Sequence, residues 1–187
     1  SDTLGLDKTS IDIDQNGFIK VNDCLETSLK GVYSFGDIIG RYFFRHTANF
    51  EGQYLFESIF QSDKRLPINY KPVPYAMFTA PQIAGVGLSE EDCKKQHIEY
   101  VLGKNTYAAS AMGMALRSDH GFVKLLFDRQ SKKLIGAHII GKEASNMIHM
   151  LIAFMVMNAT HQDLLETIYI HPALPEIVRN AARNCSF

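Results

Sequence analysis

Apolar and polar residues follow two different periods along this chain, and the periods predict its elements. Residues 11–21 alternate between the two kinds on either side of Asn16-Gly17, which predicts a β-hairpin with a tight turn. Residues 31–35 form a short apolar run that predicts a buried strand. A helix is predicted over residues 45–61, because turn-forming residues and a proline follow it.

The pattern changes beyond residue 69. Residues 71–74, KPVP, are typical of a linker, so two domains are predicted, residues 1–70 and 71–187. Strands are predicted in the second domain at residues 75–79, 83–88, 99–107, 122–127 and 134–140. Helices are predicted at residues 89–96, 142–158 and 173–183, with a short one capped by Thr160. The predicted fold class is α+β, an antiparallel β-sheet meander with helices packed on it.

The helix predicted at residues 142–158 carries a stripe of large apolar residues at helical spacing: Met147, Ile148, Leu151, Ile152, Met155 and Val156. Core packing is the prediction, with a subunit interface as the alternative for part of the stripe. The run 147–157 is the most apolar in the chain, but it is too short to span a bilayer and carries His149. A buried helix is therefore expected here.

One histidine near the C-terminus is the best candidate for chemistry. Pro172 disfavours the α conformation at His171, so the imidazole is predicted to stand in an extended loop before a helix. Glu176 lies near the start of that helix, where its carboxylate can accept a proton from one ring nitrogen. Such a carboxylate orients a general base and raises its basicity. The alternative is a surface histidine that merely precedes a helix with an N-terminal glutamate.

Charge and cysteine content narrow the function classes. The net charge of −1 gives no reason to expect a nucleic acid or an anionic membrane as a partner. Cys24, Cys93 and Cys185 are far apart in the sequence and form neither a metal-site spacing nor a close redox pair. No metal site is predicted, and a reducing, cytoplasmic compartment is the default expectation.

Three motifs, in order along the chain, resemble those of one family. Residues 171–176, HPALPE, resemble the His-Pro-x-x-x-Glu signature that closes the flavoprotein disulfide reductases, the family of dihydrolipoamide dehydrogenase and glutathione reductase. Residues 31–37, GVYSFGD, are similar to the family's second flavin-binding motif. Residues 73–87 are similar to the opening of its interface domain. The motifs together span most of the chain and are specific.

The resemblance implies that part of an FAD site lies in residues 1–70. Gly36 would let the backbone approach the flavin nucleotide, and Asp37 would accept a hydrogen bond from a ribityl hydroxyl. Phe44, Arg45 and His46 fall at the helix N-terminus that in this family points at the flavin ring, where backbone N–H groups favour negative charge. The bulky residues of this segment replace smaller ones usual in lipoamide dehydrogenases. Without the resemblance, the Gly-Asp pair is an ordinary turn after a strand.

The whole enzyme implied by the resemblance is a homodimer that transfers electrons between NAD(P)H, FAD and a thiol or disulfide substrate. A thiol with an ordinary pKa near ~8.5 is mostly protonated at neutral pH, so a base must take its proton. His171 would be that base and Glu176 would hold it, serving the other subunit's active site as in the family. A lipoamide-like substrate, as for dihydrolipoyl dehydrogenase, is the first expectation. Reduction of a glutathione-like or mycothiol-like disulfide, or a non-catalytic dimerisation module, are the alternatives.

The resemblance also indicates which parts of such an enzyme this chain lacks. The sequence has neither a Gly-x-Gly-x-x-Gly motif nor a Cys-x4-Cys redox pair, both of which the family keeps in regions that would precede residue 1. Residues 1–70 are therefore expected to be the end of an FAD-binding domain, and residues 71–187 an interface domain. By itself the chain is expected to bind neither FAD nor NAD(P) and to be catalytically silent.

Overall fold

The computed structural model describes residues 2–62, 64, 66–70 and 72–187. Contacts divide the chain into two compact units, which we call unit 1 (Ser1–Tyr70) and unit 2 (Lys71–Phe187). Lys71, the first residue of the predicted linker, lies outside the described residues.

Within its described residues, unit 1 is built around one α-helix. Helix α1 spans Arg45–Phe60, so the helix predicted over residues 45–61 is confirmed. Its buried residues recur at helical spacing: Thr47, Glu51, Leu55 and Ser58. Three 3₁₀ turns precede it, at Asp2–Leu4, Leu6–Lys8 and Gly36–Ile39. The small apolar core consists of Leu25, Leu55 and Ile68, with partly buried side chains packed around them.

The predicted hairpin at residues 11–21 is much shorter than expected. Its two sides are joined by one isolated antiparallel bridge, between Ile13 and Ile19, and not by paired strands. The Asp14 carboxylate accepts the backbone N–H groups of Asn16 and Phe18 at 2.8 and 3.0 Å. The turn is therefore stabilised by a side chain, and the alternating pattern does not extend into a ladder.

The prediction of a buried strand at residues 31–35 is wrong. The segment makes one isolated bridge, between Tyr33 and Glu26. Its backbone groups are bonded locally, since the Thr27 N–H donates to the Val32 carbonyl at 2.8 Å. The Ser34 N–H also donates to the Leu25 carbonyl at 3.1 Å, so the segment pairs with residues 25–27 over too short a length to form a strand of a sheet.

Unit 2 is an antiparallel five-stranded sheet with helices on it, so the predicted α+β class is confirmed. The strands are β1 (Tyr75–Met77), β2 (Gln82–Gly87), β3 (Tyr100–Thr106), β4 (Phe122–Asp128) and β5 (Leu134–Gly141). The helices are α2 (Glu90–Lys95), α3 (Ala111–Ala115), α4 (Ala144–Val156), α5 (His161–Glu166) and α6 (Glu176–Arg183). Capping boxes at Ser89 and Thr160 start α2 and α5 where the sequence predicts them.

The strand order is β1-β2-β5-β4-β3, which differs from the predicted simple meander. Strands β3, β4 and β5 do follow one another, but β5 and not β3 pairs with β2. Ile139 of the central strand thus lies opposite both Ala84 and Val123, and all three are buried. Alternation of apolar residues specifies which face of a strand is buried, and it leaves the neighbouring strand open.

The helices cover the sheet and place the C-terminal segment. Met147, Ile148 and Leu151 of α4 are buried in the core, which confirms core packing for that part of the stripe, while Val156 is exposed. Helix α6 packs on β3 and β4, and a side chain at Gly103 would clash with its backbone. Within the described ranges, α4 included, no helix combines the length and apolarity needed to cross a membrane.

Candidate functional site

The loop that carries His171 is held from both sides. Before it, the Tyr169 hydroxyl donates to the Leu164 carbonyl at 3.1 Å, and Leu164 is fully buried in α5. After it, α6 begins at Glu176 with Pro175 at the N-cap. This start is later than the predicted residue 173, because the residues between the loop and α6 form a turn. The loop is therefore fixed to the core through α5 and α6.

His171 and Glu176 form the hydrogen-bonded pair that their spacing predicts. His171 Nδ1 lies 3.1 Å from Oε1 and 3.0 Å from Oε2 of the carboxylate. The Glu176 side chain is only 7% exposed, whereas that of His171 is 69% exposed. Donation from Nδ1–H to the carboxylate fixes the tautomer and leaves Nε2 as the basic ring nitrogen. The arrangement is an exposed base backed by a buried carboxylate, and its role in catalysis stays a prediction.

Two further donors hold the Glu176 carboxylate. Oε2 accepts the backbone N–H of Ala173 at 3.1 Å, and Oε1 accepts Arg179 Nη2 at 2.9 Å. The Ala173 N–H, followed by the His171 hydrogen bond, lowers the pKa of Glu176 below its usual value, so the group is ionised at neutral pH. Sequence reasoning missed Arg179, although its i, i+3 spacing from Glu176 on a predicted helix is a readable signal.

In unit 1, the Gly36-Asp37 turn packs against the first turn of α1. Gly36 has a φ of +77°, and an added Cβ would lie 3.2 Å from Ala48 Cβ. Its N–H donates to Glu51 Oε2 at 2.6 Å, which ties the turn to the helix a second time. Asp37 is exposed. The glycine thus sits in a close approach that a side chain would disturb, with an acceptor carboxylate next to it.

The N-terminus of α1 suits a negatively charged or electron-rich group. Phe44 occupies the N-cap without capping the helix, and its ring stacks on His46 at a centroid distance of 5.1 Å. Arg45 and His46 are exposed, and the buried Thr47 Oγ1 has no hydrogen-bond partner among the described residues. Asp37 beside this helix end supplies an acceptor for a hydroxyl, and the helix end supplies positive potential. These residues fit the flavin implied by the sequence, and their role in binding it stays a prediction.

The sequence comparisons identify the family. Residues 73–182 match the dimerisation domain of the pyridine nucleotide-disulphide oxidoreductases, and the chain belongs to that family. It is 31% identical over 183 residues to a dihydrolipoyl dehydrogenase of Trypanosoma brucei brucei, covering 97% of this chain and 38% of the relative. It is 34% identical over 186 residues to a mycothione reductase of Mycobacterium tuberculosis, covering 97% and 40%. The resemblance to disulfide reductases drawn from the motifs is therefore confirmed.

The structural comparison agrees in fold. An HOCl-induced flavoprotein disulfide reductase, RclA of Escherichia coli, superposes with a TM-score of 0.89 at 20% identity, covering 97% of this chain and 42% of that one. At such low identity the match shows the fold alone. The chain spans about two fifths of the length of the curated relatives named above, at 38% and 40%.

Proposed function

We propose that this chain is the dimerisation portion of an oxidoreductase that uses FAD and NAD(P) and acts on a thiol or disulfide substrate. It supplies the His171–Glu176 acid/base pair. The observation that carries the proposal is the hydrogen bond between the exposed His171 ring and the buried Glu176 carboxylate. Membership of the family and the names of the relatives support it, and dihydrolipoamide is the first substrate to test.

The pair is suited to removing a proton from a thiol. His171 Nε2 accepts the S–H proton, and the sulfur keeps the electron pair as a thiolate ready for exchange with a disulfide. The Glu176 carboxylate stabilises the imidazolium that forms at the ring. Return of the proton from Nε2 to a thiolate restores the neutral ring. Acid–base catalysis of this kind contributes roughly 10²- to 10⁴-fold in rate.

Residues of unit 1 would hold the flavin. Gly36 allows close approach of the backbone, and the exposed Asp37 carboxylate accepts a hydroxyl hydrogen bond. Backbone N–H groups at Phe44, Arg45 and His46 would offer positive potential to a negatively charged flavin ring. When bound, the flavin supplies electron transfer between the pyridine nucleotide and a disulfide.

A homodimer accounts for apolar side chains that unit 2 leaves exposed beside the loop. Ile168 is 96% exposed and Ile170 is 81% exposed, one on each side of the tethered Tyr169. Exposed apolar surface next to a polar group is typical of an interaction site. In the proposed dimer, the His171 ring of one subunit serves the active site of its partner.

A reducing, cytoplasmic location is part of the proposal. Cys24, Cys93 and Cys185 are all free thiols, which supports a compartment where disulfides do not persist. Among the relatives, a dihydrolipoyl dehydrogenase of Canis lupus familiaris is described as mitochondrial, so fractionation of cells from the source organism is the check.

The test is His171→Gln in the complete enzyme, with the two half-reactions measured separately by rapid mixing. Gln keeps much of the shape and polarity but cannot transfer the proton, so the thiol half-reaction slows by ~10²-fold or more. Reduction of the flavin by pyridine nucleotide stays unchanged. His120→Gln, at an exposed histidine of unit 2, is the matched control and leaves both half-reactions unaltered.

Two outcomes would contradict the proposal. Unchanged thiol kinetics in His171→Gln would end the catalytic interpretation, and equal losses in both half-reactions would make the loop merely structural. Substrate class is read in the same assay, with dihydrolipoamide compared against mycothiol and glutathione disulfides. Fastest turnover of dihydrolipoamide is expected.

A further inference from the structure

Arg179 is placed differently from an ordinary surface arginine. Its side chain is 22% exposed, and its Nη2 donates to Glu176 Oε1 at 2.9 Å from one turn further along α6. The guanidinium carbon lies 5.5 Å from the centroid of the Tyr169 ring, on the segment that leads into the loop. The arginine therefore joins the helix that carries Glu176 to the segment that carries His171.

One nitrogen of the Arg179 guanidinium is buried without a partner. Arg179 Nε has no hydrogen-bond partner among the described residues, although Nη2 is bonded to Glu176. An unpaired buried donor lowers the free energy of unfolding, and an exposed i, i+3 ion pair would offset little of that loss. Glu176 is almost fully buried, however, so a cation beside it is more valuable there than on the surface. The position of Arg179 is thus best explained by what it does for the carboxylate.

Together, Arg179 and Ala173 fix the rotation of the carboxylate. Ala173 N–H is bonded to Oε2 and Arg179 to Oε1, so each oxygen has a donor besides the imidazole. His171 Nδ1 then lies almost equally far from the two oxygens, at 3.1 and 3.0 Å. Without Arg179, Oε1 keeps a contact with the His171 ring, and the orientation of the carboxylate then depends on that ring and on the Ala173 N–H at Oε2.

We propose that Arg179 is a positioning residue for the His171–Glu176 pair, which fixes the carboxylate and partly balances its charge at the imidazole. The inference rests on the proposed function, because it concerns the same proton transfer. A cation next to the carboxylate reduces the stabilisation that the carboxylate gives to the imidazolium. Arg179, 2.9 Å from Oε1, therefore offsets part of the negative charge that the carboxylate presents to the ring.

The charged and titratable neighbours of the pair are few in the described structure. Among the described residues, Arg179 is the cation paired with Glu176, and the Tyr169 phenol, whose pKa burial raises, stays neutral. From α5, the Leu164 carbonyl reaches Tyr169, and His161 Nε2 bonds the Ala182 carbonyl towards the other end of α6. Strands β3 and β4 also pack against α6, and they belong to the sheet that carries the apolar core. Arg179 is thus the group whose removal changes the local charge.

The experiment compares Arg179→Gln, Arg179→Lys and Arg183→Gln in the complete enzyme. Arg179→Gln slows the thiol half-reaction by roughly 10-fold, the scale on which partners that orient a catalytic ligand act. The acid limb of its pH profile moves to higher pH, since the uncompensated carboxylate favours the imidazolium. Arg179→Lys restores the charge and recovers most of the rate and the profile. Arg183→Gln, at an exposed arginine of α6, behaves as wild type.

Each alternative result has a definite meaning. Wild-type rate and pH profile in Arg179→Gln would overturn the inference. A slower rate with an unmoved profile, or one that Arg179→Lys does not repair, would make Arg179 a residue of the fold only and overturn it too. His171→Gln, measured in parallel, distinguishes the proposed function from the role of Arg179. If His171→Gln slows thiol chemistry and Arg179→Gln does not, the proposed function stands and this inference alone fails.

Discussion

Each unit of this chain buries one glutamate that ties a backbone turn to a helix. In unit 1, Glu51 is 1% exposed and accepts the Gly36 N–H at 2.6 Å and the Tyr70 hydroxyl at 2.5 Å. In unit 2, Glu176 is 5% exposed and accepts the Ala173 N–H, but its other partners are His171 and Arg179. The two carboxylates thus share burial and a backbone donor and differ in their side-chain partners.

The difference in partners gives the two carboxylates different expected roles, a structural one for Glu51 and the proposed acid/base role for Glu176. Burial and the hydrogen bond to Glu51 raise the pKa of Tyr70 to about 12, so this partner stays neutral across the physiological range. His171 is the exposed partner of Glu176, and an imidazole is the side chain that changes charge near neutral pH. A buried carboxylate is therefore no mark of a reactive site. The proposed acid/base role of Glu176 is supported by its exposed partner, the His171 ring.

Glu51→Leu is expected to have the largest effect on the folded state. It leaves the Gly36 N–H and the Tyr70 hydroxyl without their acceptor, which costs about 2–4 kcal/mol. Amide exchange at Gly36 should accelerate on the order of 10²-fold, measured by hydrogen–deuterium exchange. Glu57→Leu, the same change at an exposed site on α1, is the control. Equal exchange rates at Gly36 in the two variants would show that Glu51 does not hold the Gly36 turn to α1.

Several local elements of unit 2 were readable from the sequence, whereas the pairing of β2 with β5 was not. Ser89 with Asp92, and Thr160 with Asp163, form the capping boxes that start α2 and α5, because a cap and its partner are three residues apart. The position of β5 between β2 and β4 depends on contacts far apart in sequence, which alternation alone leaves undetermined.

The two glutamate sites differ in the same way. His171 and Glu176 are close in sequence, and Pro172 restricts the backbone between them, so their contact followed from spacing. Glu51 reaches Gly36 and Tyr70 across 15 and 19 residues through an irregular segment, and sequence periodicity carries no signal for such bonds.

Glu176→Gln tests the role of the second carboxylate. The amide can still accept a hydrogen bond from the ring but cannot stabilise the imidazolium by charge. The thiol half-reaction is expected to slow by roughly 10-fold, about 1.4 kcal/mol in the barrier, which is less than in His171→Gln. The acid limb of the pH profile should move to lower pH, opposite in direction to that of Arg179→Gln. Stopped-flow pH profiles measure both.

A matched change at Glu51 gives the control for this result. Glu51→Gln should leave the pH profile of the thiol step where it is in wild type, because Glu51 accepts its side-chain hydrogen bond from a neutral phenol, that of Tyr70. Should both glutamine variants move the profile alike, the distinction between the two carboxylates would be lost.

Tyr169→Phe should have the smallest effect and tests whether the loop needs its tether. The change removes the hydrogen bond to the Leu164 carbonyl, worth about 1 kcal/mol, and keeps the ring that faces the Arg179 guanidinium. Amide exchange in residues 167–171 should rise by roughly 5-fold, while the thiol half-reaction stays within about 3-fold of wild type. The pH profile should not move, since the charges around Glu176 are unchanged. A shifted profile would mean that Tyr169 acts on the His171–Glu176 pair directly. Its role could then no longer be described as holding the loop in place.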